Sequence, residues 1–109
     1  MMKTIVSIVV SLVALAATSV RAQDGKVLWT ANCTPCHGAS GKGDTKMGQT
    51  LGAMDLSNAS KQAAFSDAQA ASAIKNGVKQ NGKTTMKAFS KLSDAEVKAL
   101  VAYVRSLKK

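Results

Sequence analysis

Two cysteines and a histidine stand close together near the start of the chain, as Cys33, two intervening residues, Cys36 and His37. This spacing is the attachment pattern of a c-type haem. Each thiol can add to one vinyl group of the ring, and the next residue then lies beneath the iron, where an imidazole nitrogen can ligate it. His37 is the only histidine in the chain. The motif therefore predicts one haem c, with thioether bonds to Cys33 and Cys36 and with His37 as the proximal iron ligand.

Three other kinds of site are compatible with part of this motif. A dithiol redox pair would be expected between alternating strands and helices, and the sequence around the cysteines predicts no strands. A structural zinc site needs four protein ligands as a rule, whereas two cysteines and one histidine are the only soft ligands clustered here. A disulfide would leave His37 without a role. We therefore rank haem first, dithiol chemistry second and zinc third.

The first residues have the layout of a secretory signal peptide. Lys3 gives a basic head, residues 5–17 form an apolar run, and small residues precede a cleavage point after Ala22. A membrane anchor is the alternative, but the run is shorter than the ~20 residues that a spanning helix needs. We expect residues 1–22 to be removed, residues 23–109 to form one domain, and the product to have no stable membrane insertion.

The chain is strongly basic, with a formal net charge of +9. Thirteen of the fifteen basic residues and all six acidic residues follow Ala22, so an excess of seven positive charges remains after cleavage. Such a charge favours acidic protein partners or anionic membrane surfaces. No nucleic-acid-binding motif accompanies it, so we expect no nucleic acid partner. Most of the lysines are spread singly along the chain, as on an ordinary solvated surface.

Helix signals occur in three stretches, at residues 24–32, 65–77 and 92–107. The second and third stretches each begin with a capping box, formed by Ser66 with Gln69 and by Ser93 with Glu96. A glycine-rich loop over residues 38–53 is expected to pass close to the ring and to supply a carbonyl for the second nitrogen of His37. Residues 78–91 carry few helix signals.

The chain after residue 22 resembles small bacterial class I cytochromes c over nearly its whole length. The resemblance rests on the haem motif and on four further groups of residues: Gly25 with Trp29 in the first helix, residues 36–44 after the motif, Met86 to Phe89, and Leu100 with Tyr103 in the last helix. Two departures stand out. Lys87 occupies the place where the family often has proline after the ligand methionine, and the only proline, Pro35, lies inside the haem motif.

The resemblance implies an all-α, cytochrome c-like fold with three to four helices wrapped around one covalently bound haem. It also implies Met86 as the distal iron ligand, and a six-coordinate iron that exchanges electrons without binding substrate. The protein is thus expected to be a periplasmic, monomeric one-electron carrier between redox proteins, and not an enzyme. The alternatives are a haem enzyme or gas-binding domain with an open or labile sixth position, and a haem subunit of a larger redox complex.

The position of Met86 in the chain favours it over the other two methionines after Ala22. Met47 and Met54 follow His37 closely, and each is more simply a packing residue. Met86 lies forty-nine residues beyond His37, after a complete predicted helix, so its segment can reach the opposite face of the ring. We therefore predict that the Met86 sulfur is the sixth ligand.

Overall fold

The computed structural model describes residues 22–109, which form six helices and one two-stranded hairpin. The helices are α1 (Ala22–Asn32), α2 (Thr34–His37), α3 (Lys46–Leu51), α4 (Ala59–Ala63), α5 (Asp67–Asn76) and α6 (Asp94–Ser106), and the strands are β1 (Val78–Gln80) and β2 (Lys83–Met86). None of the helices within residues 22–109 is long and apolar enough to span a bilayer. The predicted signal peptide falls almost wholly on residues outside this range, so its cleavage stays a prediction.

The first and last helices cross at a glycine. A side chain at Gly25 would overlap the backbone carbonyl oxygen of Ala99 and lie 3.0 Å from Cβ of Tyr103. One turn later, the ring of Trp29 packs against the ring of Tyr103, with their centroids 5.6 Å apart. The predicted face of Gly25 and Trp29 is therefore the face on which α1 meets α6.

Helices α5 and α6 begin where their capping boxes predict. Ser66 and Ser93 each accept a hydrogen bond from the third backbone N–H of the helix, and Gln69 and Glu96 accept one from the capping residue in return. The predicted stretches are one or two residues too long at their ends. The predicted first helix, by contrast, starts two residues too late. Helix α1 begins at Ala22, so Asp24 lies inside its first turn.

A compact apolar cluster joins α1, α5 and α6. Its buried members are Trp29, Cys33, Leu56, Ile74, Val97, Leu100, Val101 and Val104, and Met86, Phe89 and Leu92 are among the half-buried residues packed against it. Four of these residues, Val97, Leu100, Val101 and Val104, recur at helical spacing and form one apolar stripe along α6. The cluster includes Cys33, so the core of the fold extends directly to the predicted haem motif.

A polar network ties α4 to the end of α6. Gln62 is 2% exposed, and its side-chain nitrogen donates to the backbone carbonyls of Leu56 and Val104, both at 2.7 Å. Arg105 donates to the backbone carbonyls of Gln62 and Phe65 and to the carboxylate of Asp67. Because the buried Gln62 amide nitrogen is paired with two carbonyls, it is not left with an unsatisfied donor whose desolvation would destabilise the fold.

The mostly helical architecture that the sequence predicts is present, with more elements than the sequence indicates. Helices α2, α3 and α4 have four to six residues, and the strands have three and four. Segments this short do not complete two turns or two alternations, so hydrophobic periodicity does not reveal them. The turn between the strands has a local cause. Asn81 and Gly82 both adopt positive φ, as the two central residues of a type I′ hairpin turn must.

The crossing of α1 and α6 yields a stability prediction. Gly25→Ala should destabilise the haem-loaded protein by about 1–3 kcal/mol, because the new methyl group meets a backbone carbonyl that cannot move cheaply. Helix propensity alone predicts the opposite sign, a gain of about 0.5–1 kcal/mol. The free energy of unfolding in denaturant measures the difference. Thr30→Ala, on the exposed side of the same helix, is the control and should be neutral or slightly stabilising. A stabilised Gly25→Ala variant would show that the close crossing is absent.

Candidate haem site

The haem motif continues the helical hydrogen bonding of α1. The N–H of Cys33 donates to the carbonyl of Trp29 at 2.8 Å, and the N–H of His37 donates to the carbonyl of Cys33 at 2.9 Å. Cys33 is buried, while Cys36 and His37 are half-buried. The structure thus brings the three motif residues together within about one helical turn. Neither cysteine forms a disulfide within the part of the chain that the structure describes.

The ring of Trp29 packs against the imidazole of His37. Its ring centroid lies 5.5 Å from that of His37, with the two planes tilted by 38°. Its indole N–H donates to the carbonyl of Gly38 at 3.2 Å, directly after the motif. The sequence predicts Trp29 only as a core aromatic. The structure adds that this side chain fixes both the imidazole and the backbone that follows it.

His37 is held in its neutral form. Burial lowers its pKa, and the backbone of Met54 acts in the opposite direction. The Met54 peptide therefore faces the imidazole, although no group within residues 22–109 completes a hydrogen bond to the buried Nδ1. Neutral imidazole is the form that ligates metals. The predicted partner loop ends at residue 53, so the backbone group that faces His37 lies one residue beyond it.

The pKa of the Cys33 thiol is shifted in the direction opposite to that of a reactive cysteine in a dithiol redox pair. Burial, and then the neighbouring Cys36, raise the pKa of the Cys33 thiol to about 11. Reactive cysteines in redox pairs have lowered pKa values, because the thiolate is the nucleophile. A buried and protonated Cys33 counts against the dithiol interpretation of the motif.

The loop after the motif folds back on it through Thr45. The Thr45 hydroxyl lies 2.8 Å from the carbonyl oxygens of both Pro35 and Cys36, and it accepts a hydrogen bond from the N–H of Gly48 at 2.9 Å. A side chain at Gly48 would overlap the Cys36 carbonyl oxygen. Helix α3 therefore begins directly against the backbone of the motif. The signal that could have revealed Thr45 is its own residue type, since threonine is a preferred N-cap.

The three methionines have different surroundings. Met86 is half-buried and packs against the apolar core cluster. Met47 and Met54 are more exposed, with 54% and 41% of their surfaces accessible. Of the described methionines, Met86 is the one whose side chain packs against the apolar core cluster.

Three contacts hold the segment that carries Met86. Met86 pairs with Val78 across the hairpin, and the Thr85 hydroxyl donates to the Val78 carbonyl at 3.3 Å. Beyond the hairpin, the N–H of Phe89 donates to the carbonyl of Ile74 in α5 at 2.8 Å. The segment is thus fixed on both sides of Met86 by hydrogen bonds to neighbouring backbone.

Comparison with known proteins gives the family of this fold. A family model described as cytochrome c matches residues 22–108. The chain belongs to the cytochrome c family. Its cofactor is accordingly haem c, bound covalently. One similar solved structure, the KustC0563 c-type cytochrome, is 37% identical with a TM-score of 0.68, covering 79% of this chain and 99% of that one. A mutant form of that protein is 36% identical with a TM-score of 0.65, covering 78% and 99%. No curated protein matches the chain.

The residues of this cytochrome fit that cofactor. Two cysteines free of disulfide, a neutral histidine and a thioether packed on the core are the donor set that covalent attachment and axial ligation need. The apolar cluster that reaches Cys33 offers the dry surroundings that raise a haem reduction potential.

The Thr45 contacts yield a second prediction. Thr45→Val keeps the shape of the side chain but removes the oxygen that caps α3 and binds the motif carbonyls. The haem-loaded protein should lose about 1–2 kcal/mol of stability toward denaturant, as for other lost N-caps. Thr45→Ser retains the hydroxyl and should lose much less. Equal losses in the two variants would mean that the hydroxyl contributes nothing and that only the methyl contact matters.

Proposed function

We propose that this cytochrome is a one-electron carrier whose iron is held by His37 and Met86 and whose haem is attached through Cys33 and Cys36. The observation that carries the proposal is the selective packing of Met86. Its side chain lies against the same apolar cluster that contains Cys33, whereas Met47 and Met54 are turned to solvent. A methionine so placed is available for the distal position, and a filled distal position leaves no site for substrate.

Each residue of the proposed site has a separate role in holding the haem or ligating its iron. The bound haem supplies one-electron redox chemistry. Cys33 and Cys36 fix the ring to the end of α1, so the cofactor cannot dissociate between encounters. His37 offers a neutral nitrogen, and Trp29 holds its ring in place. Met86 offers a soft, neutral sulfur that favours the reduced metal. The surrounding apolar residues exclude water.

Three further parts of the proposal concern the setting of the protein. Residues 1–22 act as a cleaved signal peptide, residues 23–109 are the functional domain, and the domain works as a monomer in the periplasm. The support is the basic head, short apolar run and small residues before Ala22, together with the membership of the cytochrome c family. The protein is not an enzyme on this proposal, because both axial positions are filled.

Substitution of Met86 tests the proposal. Met86→Ala should abolish the sulfur-to-iron charge-transfer band of the oxidised protein and allow the reduced protein to bind carbon monoxide at neutral pH. The reduction potential should fall by on the order of a tenth of a volt, a modest part of the roughly 0.8 V that axial ligands control. Absorption spectra and redox titration measure all three properties.

Met47→Ala and Met54→Ala are matched controls, because each removes one thioether from the same chain. Both should behave like the parent. If one of them loses the band while Met86→Ala keeps it, the ligand is misassigned. If the parent protein binds carbon monoxide readily, the distal position is open and the function is that of a gas-binding or enzymatic haem domain.

The partners we propose are redox proteins with acidic docking patches, and the segment around Met86 is the surface that would meet them. Lysines recur in this segment at positions 79, 83, 87 and 91, all exposed, and no acidic residue stands between Asp67 and Asp94. Lys75, near the start of the stretch, forms an ion pair with Asp94, whereas Lys79, Lys83 and Lys87 are each at least seven positions from the nearest acidic residue in the sequence. We call Lys79, Lys83 and Lys87 the basic hairpin. Its positive field lies beside the proposed distal ligand.

Charge-reversal variants test the docking surface. Lys79→Glu with Lys83→Glu should slow oxidation by the anion hexacyanoferrate(III) by about tenfold at low ionic strength, because the attracting field becomes a repelling one. Lys98→Glu with Lys108→Glu changes the net charge by the same amount on α6 and just beyond it, and should slow the reaction much less. The difference should shrink in salt, which screens exposed charges beyond about 8–10 Å. Stopped-flow kinetics give the rates, and equal slowing in both pairs would mean that only net charge matters.

A further inference from the structure

Gly77 ends helix α5 in a conformation that brings two stretches of backbone into direct contact. Its φ is +76° and its ψ is −179°, a combination that is essentially restricted to glycine. A Cβ at this position would lie 2.6 Å from the carbonyl oxygen of Met86 and 2.9 Å from the backbone nitrogen of Ala88. It would also lie 3.1 Å from the carbonyl carbon of Lys87. The first two distances are shorter than real Cβ atoms show, so no side chain fits between α5 and the Met86 segment without a backbone shift.

The contact at Gly77 is bracketed by hydrogen bonds that prevent an easy adjustment. Three residues earlier, the Ile74 carbonyl accepts from the N–H of Phe89 at 2.8 Å. One residue later, Val78 pairs with Met86 across the hairpin. A side chain at position 77 would have to separate these two stretches, and the peptide that would move first is the one that contains the Met86 carbonyl.

We propose that Gly77 is a positioning residue for Met86: the absence of a side chain at Gly77 lets α5 press the Met86 backbone into the place from which its sulfur reaches the iron. The inference rests on the proposed function, in which Met86 is the distal ligand. Gly77 itself touches neither the haem nor the iron on this proposal. Its effect passes through the peptide groups of Met86 and Lys87.

Gly77→Ala in the haem-loaded protein tests the inference. The sulfur-to-iron band of the oxidised protein should weaken without denaturant, and the fraction of molecules that bind carbon monoxide in the reduced state should rise about tenfold. The reduction potential should shift toward that of Met86→Ala. Exchange of the Phe89 amide hydrogen with solvent should also speed up, which reports the backbone contact independently of the iron.

Gly82→Ala is the matched control within the same hairpin. Gly82 also has a positive φ, of +77°, but nothing lies within 4 Å of the place where its Cβ would be. Alanine there introduces backbone strain without pushing on Met86, so the variant should lose stability toward denaturant yet keep the band and exclude carbon monoxide. The denaturation curve separates the two effects further. For Gly77→Ala the band should be lost before the helices unfold, whereas a merely structural role would make both losses coincide.

The outcomes distinguish this inference from the proposed function. If Met86→Ala keeps the band, the distal ligand is misassigned and both proposals fail. If Met86→Ala loses the band while Gly77→Ala keeps it in full, Met86 is the ligand and Gly77 does not position it. Band loss that follows global unfolding in Gly77→Ala, or that appears equally in Gly82→Ala, also overturns the positioning role.

Discussion

The crossing of α1 and α6 is the constraint on which the rest of the structure depends. The motif cysteines and histidine follow directly after α1, with the N–H of Cys33 bound to the Trp29 carbonyl and the N–H of His37 bound to the Cys33 carbonyl, and the Met86 segment lies shortly before α6. The two parts of the proposed site therefore lie next in the chain to the two helices that meet at Gly25. Because the crossing leaves no room for a side chain at Gly25, a change in the angle between the helices would move the motif relative to Met86.

Close contact between a glycine and a backbone carbonyl recurs around the site. At Gly25, Gly48 and Gly77, for example, a side chain would collide with the carbonyl of Ala99, Cys36 and Met86 respectively. Backbone-to-backbone contact is less adaptable than contact between side chains, because a carbonyl cannot change rotamer to make room. A small domain with a modest core gains precision in this way. The glycines reduce helix propensity, which costs about 0.5–1 kcal/mol at a position such as Gly25, and in return they fix the relative positions of the helices.

The sequence was most informative where chemistry or helix capping imposes fixed spacings. The haem motif, the face of Gly25 and Trp29 and the two capping boxes all have short-range rules, and the fold they predict is confirmed. Contacts between distant segments have no such rule. The approach of the Met54 backbone to His37 and of Gly77 to Met86 joins residues that are 17 and 9 positions apart, and it depends on how separate elements pack. The strands of the hairpin are too short to show alternation, and Asn81-Gly82 is the local sequence signal that indicates the turn between them.

The lysine that follows Met86 shows how packing can replace a local restraint. Proline fixes φ and reduces the freedom of the unfolded chain, so a proline next to a ligand residue stiffens its loop. Lys87 occupies that place after Met86 and provides no such restraint of its own. Here the carbonyl carbon of Lys87 lies against Gly77, and the Phe89 N–H is bound to Ile74, so α5 restrains the loop from outside. The Lys87 ammonium lies 5.2 Å from the centre of the Phe89 ring, which further orders this stretch. With lysine in place of proline the segment thus keeps its position through tertiary contacts and gains a positive charge on the exposed basic hairpin.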